Sequence, residues 1–108
     1  MFDLIIRNGI VVDGRGGAPR RADVGIAGHK IAEVGTIAGP GREEIDAQGH
    51  YVTPGFVDVH THYDGQITWE NRLAPSSGHG VTTVVMGNCG VGFAPVRSGE
   101  QDLLIKLM

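Results

Sequence analysis

Two histidines in the second half of the chain have the residue type and the spacing of metal ligands. His60 and His62 are separated by one residue and follow residues 56–59, a short apolar run that is typical of a β-strand. Because residues two apart along a strand point to the same side, the two imidazoles should lie side by side. Such a pair can ligate one metal ion or line one pocket, and the alternative is a polar strand end without a ligand.

Cys89, the only cysteine of the chain, is the third candidate ligand. It follows the apolar run of residues 81–86. Counted in steps of two from residue 81, its side chain should lie on the same face of the sheet as the two histidines. A thiolate together with imidazoles suits Zn²⁺. From the residues alone two alternatives stay open, namely a small buried apolar side chain or a nucleophilic thiol with a base nearby.

Polar and aromatic residues around the histidine pair are further candidates. Asp58 shares the parity of the histidines and could orient an imidazole or bond to backbone in the core. Tyr63, Asp64 and Gln66 could touch a substrate or belong to an ordinary loop that caps a helix. For Trp69 and Phe93, core packing is favoured over a role as a pocket wall. The other histidines, which lack a partner at ligand spacing, are interpreted as solvated or locally hydrogen-bonded: His29, His50 and His79.

Residues 1–54 predict an all-β layer of short strands. Asn8-Gly9 between residues 3–7 and 10–13 predicts a hairpin turn, and Gly28-His29 between residues 23–27 and 30–35 predicts a second one. Two more strands are expected at residues 44–47 and 50–53. The glycine- and proline-containing stretches 14–19 and 39–41 are expected to be loops.

Residues 55–108 predict a change to alternating strands and helices. The runs 56–59 and 81–86 are expected to be parallel strands, the second buried on both faces, joined by a short helix within residues 67–74. Ser98 stands three residues before Gln101, which predicts a capping box that opens a helix over residues 99–108.

Composition excludes several classes of protein. The 108 residues carry 9 Lys+Arg against 12 Asp+Glu, a formal net charge of −3, without the basic stripe of a nucleic-acid-binding protein. No apolar run approaches the roughly 20 residues of a membrane helix, and the amino end lacks the pattern of a secretory leader. We therefore expect a cytoplasmic protein with no nucleic-acid or membrane partner.

Three longer segments resemble the amidohydrolase superfamily. The segment VTPGFVDVHTH (residues 52–62) is similar to the stretch that leads from a β-sandwich into the first strand of a metal-bearing (β/α)₈ barrel. Within that superfamily, HTHYDGQ (residues 60–66) and GVTTVVMGNCGVGFAP (residues 80–95) resemble the N-acyl-D-amino-acid deacylases, or D-aminoacylases. Dihydroorotases and hydantoinases share the histidine pair but typically use a carboxylated lysine as bridging ligand, so Cys89 separates the two interpretations.

The resemblance implies a fold and a site. Residues 1–54 would be the amino-terminal part of a composite β-sandwich, and residues 55–108 the first two β/α units of an incomplete barrel, since a whole barrel takes about 250 residues. His60, His62 and Cys89 would hold Zn²⁺, as one or two ions. The remaining histidine ligands and the aspartate that serves as general acid/base are expected beyond Met108.

The resemblance also implies a function. The expected activity of the whole enzyme is zinc-dependent hydrolysis of the amide bond of N-acyl-D-amino acids to a carboxylate and a D-amino acid. The 108 residues alone are expected to be inactive and to self-associate. The alternatives are a cyclic amidohydrolase of the dihydroorotase or hydantoinase type, and a non-catalytic domain for packing or binding.

Overall fold

The amino-terminal half of the chain folds as a five-stranded sheet. The computed structural model describes residues 1–89, 92 and 95–106, and the chain divides into two compact units, Met1–Pro54 and Gly55–Met108. The strands of the first unit are β1 (Leu4–Val11), β2 (Arg20–Ala27), β3 (Lys30–Gly35), β4 (Glu43–Asp46) and β5 (Tyr51–Val52). The sheet order is β3-β2-β1-β4, and β5 also pairs with β1.

The central strand β1 carries the core of this unit. It pairs antiparallel with β2, and along its other edge it pairs parallel with β4 and then with β5. Ile5 is completely buried, and the other buried apolar residues of the unit are Val11, Val24, Ile37 and Ala47. The core therefore combines residues of β1 and β2 with Ile37 and Ala47, which lie in loops.

The hairpin predicted at Asn8-Gly9 is wrong, because β1 runs straight through both residues. The register with β2 shifts between Ile6 and Gly9, which marks a β-bulge. Only Asn8 of the pair has a positive φ, at 60°, whereas a type I′ turn needs two. The Asn8 N–H donates to the carboxylate of Asp23 at 2.9 Å, so this backbone group is satisfied within the bulge.

The turn predicted at Gly28-His29 is confirmed. β2 and β3 are antiparallel, with Ala27 opposite Lys30 on either side of the two-residue turn. The strands expected near residues 44–47 and 50–53 are present as β4 and β5. The stretches 14–19 and 39–41 contain no strand or helix.

The second unit contains the parallel strand pair that precedes the candidate ligands. β6 (Phe56–Asp58) and β7 (Val81–Val84) are parallel, as predicted. Gly55 comes directly before β6, where a Cβ atom would overlap the side chain of Thr82 on β7. Thr82 and Thr83 are exposed, so the prediction that β7 is buried on both faces is wrong for this chain.

The helices of this unit differ from the predicted ones. The first, α1 (Tyr63–Gln66), is short and starts directly after His62, and a 3₁₀ turn covers Ser76–His79. The helix predicted within residues 67–74 is absent. There the Glu70 carboxylate accepts hydrogen bonds from the N–H groups of Arg72 at 2.7 Å and Ala74 at 3.0 Å, which replaces helical pairing with a local turn.

The carboxyl-terminal helix is shorter than predicted. In the described residues α2 spans Gln101–Ile105, and its N-cap is Glu100, which makes no side-chain capping bond. The capping box at Ser98 is therefore wrong; instead, the Gln101 side chain accepts a hydrogen bond from the Gly99 N–H at 2.9 Å. Among the described residues, no helix is both long and apolar enough to cross a membrane.

Candidate metal centre

The structure brings the three predicted ligand residues together. One ligand atom from each of His60, His62 and Cys89 lies within 4.8 Å of the other two. The histidine rings are 6.1 Å apart between centroids and tilted by 40°, so they converge without stacking. Both histidines are exposed and Cys89 is half-buried, which leaves the cluster accessible to an ion.

The two histidines lie beyond the end of β6 and not within it. The strand stops at Asp58, His60 lies in a bend, and His62 is the N-cap position of α1 without a side-chain capping bond. Between them Thr61 is 5% exposed, and its hydroxyl donates to the Val85 carbonyl at 2.8 Å. Thr61 therefore anchors the segment that carries both histidines, and strand parity does not position them, since β6 ends before them.

Cys89 reaches the histidines through a turn that follows β7. The strand ends at Val84, so the alternation of side chains along a strand does not determine the direction of Cys89. Gly87 has φ of 78°, the left-handed region that favours glycine, and it redirects the chain. The Asn88 side chain then donates to the Val59 carbonyl at 2.8 Å, which ties the cysteine turn to the segment before His60.

Sequence reasoning missed Thr61 and Asn88. Both are polar residues next to candidate ligands, and asparagine is common in turns because its side chain bonds readily to backbone. That preference is consistent with a turn at Asn88, but it does not predict the hydrogen bond from its side chain to the Val59 carbonyl. The Asp58 carboxylate accepts the His60 N–H at 3.1 Å, so it bonds to backbone as one expectation had it, but this hydrogen bond is exposed and not in the core.

A cleft of about 220 Å³ opens beside the histidines. It is lined by the segment that precedes α1, by α1 itself and by the start of the 3₁₀ turn: Asp58, His60, Thr61, His62, Tyr63, Gln66, Pro75 and Ser76. Its size is that of a small polar ligand or a substrate group. The cleft, the histidines and α1 all belong to the second unit.

Tyr63 and Gln66 hold the wall of this cleft. The buried Tyr63 hydroxyl donates to the Leu73 carbonyl at 2.9 Å, accepts from the Ser76 N–H at 3.1 Å and lies 2.8 Å from the Ser76 hydroxyl. The Gln66 amide donates to the Ala74 carbonyl at 2.8 Å. Both side chains therefore shape the cleft by bonding to the 73–76 segment.

The ligand cluster does not include the other described sequence candidates. Trp69 is 67% exposed, so the predicted core packing is wrong for this residue, and Phe93 lies outside the described residues. The Gln48 carbonyl lies 3.1 Å from Nδ1 of His50, a local hydrogen bond. His29 and His79 are exposed.

Comparison with known proteins assigns the family. A family model described as the amidohydrolase family matches residues 43–106, which include the strand pair, both histidines and the cysteine. The chain belongs to the amidohydrolase family. The candidate cluster of this amidohydrolase chain therefore lies inside the matched segment.

Two similar proteins are a D-aminoacylase and an N-acyl-D-glutamate deacylase. The D-aminoacylase of Alcaligenes xylosoxydans xylosoxydans is 41% identical over 108 residues, covering 99% of this chain and 22% of that protein. The N-acyl-D-glutamate deacylase of Bordetella bronchiseptica, solved with zinc and a phosphonate mimic of the tetrahedral intermediate, is 41% identical and matches with a TM-score of 0.81. That match covers 95% of this amidohydrolase chain and 23% of the solved one.

A solved D-hydantoinase is similar over a smaller part of the chain. It is 49% identical, but it covers 56% of this chain and 13% of its own, with a TM-score of 0.50. The amidohydrolase chain thus spans about a fifth of the deacylases it matches and less of the hydantoinase. Its backbone follows the deacylase over nearly its whole length.

Proposed function

We propose that this chain supplies His60, His62 and Cys89 as zinc ligands of an amidohydrolase that hydrolyses N-acyl-D-amino acids. The observation that carries the proposal is the convergence of three ligand atoms, from three residues on two loops, within 4.8 Å. Two imidazoles and one thiolate are a donor set that suits Zn²⁺. The solved relative from Bordetella bronchiseptica holds zinc, which supports the same choice here.

The spacing of the three residues fits one ion. With bonds of about 2.0 to 2.3 Å in a tetrahedral arrangement, neighbouring ligand atoms are roughly 3.5 Å apart. Side-chain rotations can close the difference from the observed separations, because both imidazoles are exposed. The same residues could share a second ion in the whole enzyme, as the family resemblance implies.

The donor set has room for a reacting group. A tetrahedral ion held by these three side chains keeps a fourth position, which a further protein ligand, water or substrate can occupy. Zinc held by His60, His62 and Cys89 would lower the pKa of a bound water to about 7 and would polarise a carbonyl group. The cleft beside His62 gives the acyl group or the amino acid a place next to that position.

The substrate class follows from the relatives. The D-aminoacylase and the N-acyl-D-glutamate deacylase share the reaction type, the hydrolysis of an acylated D-amino acid. We infer the same small-molecule class for this protein, without a choice of acyl group or side chain. The competing interpretations are a cyclic amidohydrolase and a non-catalytic domain.

Cys89 favours the deacylase over the hydantoinase. In hydantoinase-like relatives the family resemblance implies a carboxylated lysine as bridging ligand, whereas here a thiol lies beside the two imidazoles. The solved D-hydantoinase has a TM-score of 0.50 against 0.81 for the solved deacylase, which agrees with that preference, but coverage does not distinguish the two, since a D-hydantoinase of Rhizobium radiobacter matches 94% of this chain. The same matches support the wider fold proposal, with residues 1–54 in a β-sandwich and residues 55–108 as the first two β/α units of a barrel.

Hydrolysis assays on the full-length protein test the proposal. The protein should release carboxylate from N-acyl-D-amino acids, should leave the L enantiomers intact and should not open a hydantoin ring. Cys89→Ala should abolish both zinc retention and hydrolysis. Ring opening of hydantoins, or deacylation that survives Cys89→Ala, would contradict it.

A further inference from the structure

Two side-chain hydrogen bonds run in opposite directions between the loops that carry the candidate ligands. Thr61, which stands between the two histidines, donates to the Val85 carbonyl in the loop that leads to Cys89. Asn88, which precedes Cys89, donates to the Val59 carbonyl, directly before His60. Both bonds are 2.8 Å long. Each loop thus holds the other by a residue adjacent to a ligand.

We propose that Thr61 and Asn88 form a reciprocal clamp that positions His60, His62 and Cys89 before metal arrives. The inference rests on the proposed function, because positioning matters only where the three residues ligate an ion. Neither clamp residue is itself offered as a ligand. Both are positioning residues that act through the backbone of the neighbouring loop.

The parallel strands alone do not fix the cluster. β6 ends at Asp58 and β7 ends at Val84, so every ligand lies beyond the ladder. One backbone bond continues the pairing, from the Val85 N–H to the Asp58 carbonyl at 2.8 Å. Beyond that bond, the loops are joined by the side chains of Thr61 and Asn88, each of which is next to a candidate ligand in sequence.

The burial of Thr61 makes its bond difficult to replace by water. The residue is 5% exposed, and its hydroxyl and the Val85 carbonyl would each lose a partner if the bond broke. Because a buried polar group left unpaired is destabilising, the threonine conformation is well determined. Asn88 is exposed, so burial does not protect its bond from water. Its side chain is positioned by the turn in which Gly87 has a positive φ.

The benefit for binding is entropic. Loops that are already ordered lose less conformational freedom when an ion arrives, and ligands held close to their bound positions bind it more tightly. Groups that orient metal ligands typically change metal affinity by about 10- to 100-fold when they are mutated. The clamp should act on all three ligands together, because each of its bonds spans both loops.

Cobalt titration of the 108-residue chain measures the effect on affinity. Co²⁺ reports thiolate and imidazole coordination through its absorption spectrum, including a thiolate-to-cobalt charge-transfer band. Asn88→Ala and Thr61→Val should each weaken Co²⁺ binding by about tenfold or more. Thr61→Ser, which keeps the hydroxyl, should restore the affinity. Matched controls are Asn71→Ala and Thr83→Val, at exposed positions outside the cluster.

Hydrogen exchange of the metal-free chain tests the reciprocity separately. Each single variant should speed exchange in both loops, residues 59–62 and 85–89, and the controls should change neither. Exchange that rises only in the substituted loop, or Co²⁺ affinity that is unchanged in both clamp variants, would overturn the clamp. A wild-type chain that takes up no Co²⁺ would refute the proposed zinc site instead, while the exchange data would still decide whether the two loops are coupled.

Discussion

Arg7 on β1 holds Glu44 on β4 by two hydrogen bonds, from Nε at 3.1 Å and from Nη2 at 2.8 Å. The same guanidinium donates to Asp23 at 3.3 Å and to the carbonyls of Ile37 and Gly39 at 2.7 and 2.6 Å. The bonds from Arg7, with one from the Gly41 N–H, lower the pKa of Glu44 from 4.5 to about 2. One arginine therefore joins three strands and a loop of the first unit.

Stability of the first unit should fall in acid because of this network. The pKa of Glu44 is depressed in the folded state, so its contribution is present above pH 4.5 and is lost as the pH falls towards 2. The pKa of Asp23 is lowered in the same direction, chiefly by its bond from the Asn8 N–H. Urea midpoints at low protein concentration should be flat near neutral pH and should drop below pH 4.5.

Glu44→Gln isolates the carboxylate in that experiment. The variant should be less stable at neutral pH and should lose less stability between pH 4.5 and 2 than the wild type. Glu43→Gln, at the exposed neighbouring position, serves as the control. An unchanged acid dependence in Glu44→Gln would show that other carboxylates govern it.

The core of the first unit should depend strongly on Ile5. Because its side chain is completely buried in the central strand, Ile5→Ala should destabilise the unit by about 2 to 5 kcal/mol. Ile45→Ala on β4, where the side chain is 52% exposed, is a matched control and should cost much less. If thermal unfolding showed that the two variants lose the same free energy of unfolding, the assignment of the core would be contradicted.

The turn before Cys89 should depend on the glycine at position 87. An alanine at its positive φ costs about 1 to 2 kcal/mol, since a Cβ atom disfavours the left-handed region. Gly87→Ala should therefore lower the unfolding temperature and weaken Co²⁺ binding by displacing the cysteine. Gly35→Ala, at an open site without positive φ, should leave Co²⁺ binding unchanged. If both variants bind like the wild type, the turn does not determine where the thiol lies.

The 108-residue chain should self-associate. Phe56, Val57 and Val59 around β6 are each about three-fifths exposed, and within the described residues β6 pairs with β7 alone. Exposed apolar strands with unpaired edges tend to associate. Light scattering should show an average mass that rises with concentration, and Val57→Lys should reduce it. A concentration-independent monomer would contradict this expectation.

Two glycine-containing dipeptides show how far the sequence predicted the fold. Gly28-His29 was predictable because the turn and both partner strands are adjacent in the chain. Asn8-Gly9 has an equally strong local signal, but β1 gains parallel partners in β4 and β5 and a bond from Asn8 to Asp23. Those partners are distant in sequence, and they favour a bulge within a continuous strand over a reversal.

The candidate site was predictable in its residues and less so in its geometry. The types and spacing of His60, His62 and Cys89 were sufficient to select them. Strand parity does not place them, since both strands end before the ligands begin. Their positions depend on Thr61 and Asn88, whose bonds join loops more than twenty residues apart and leave no local pattern.

A calorimetric zinc titration of the wild-type chain and of Cys89→Ala tests the central claim most directly. The account predicts one tightly bound ion per chain in the wild type and a large loss of affinity in the variant, because thiolate is the softest of the three donors and must lose its proton to bind. The wild-type titration should also release protons, and the variant should release fewer. Unchanged stoichiometry and affinity in Cys89→Ala would contradict the three-ligand site and would leave Cys89 as an ordinary apolar side chain.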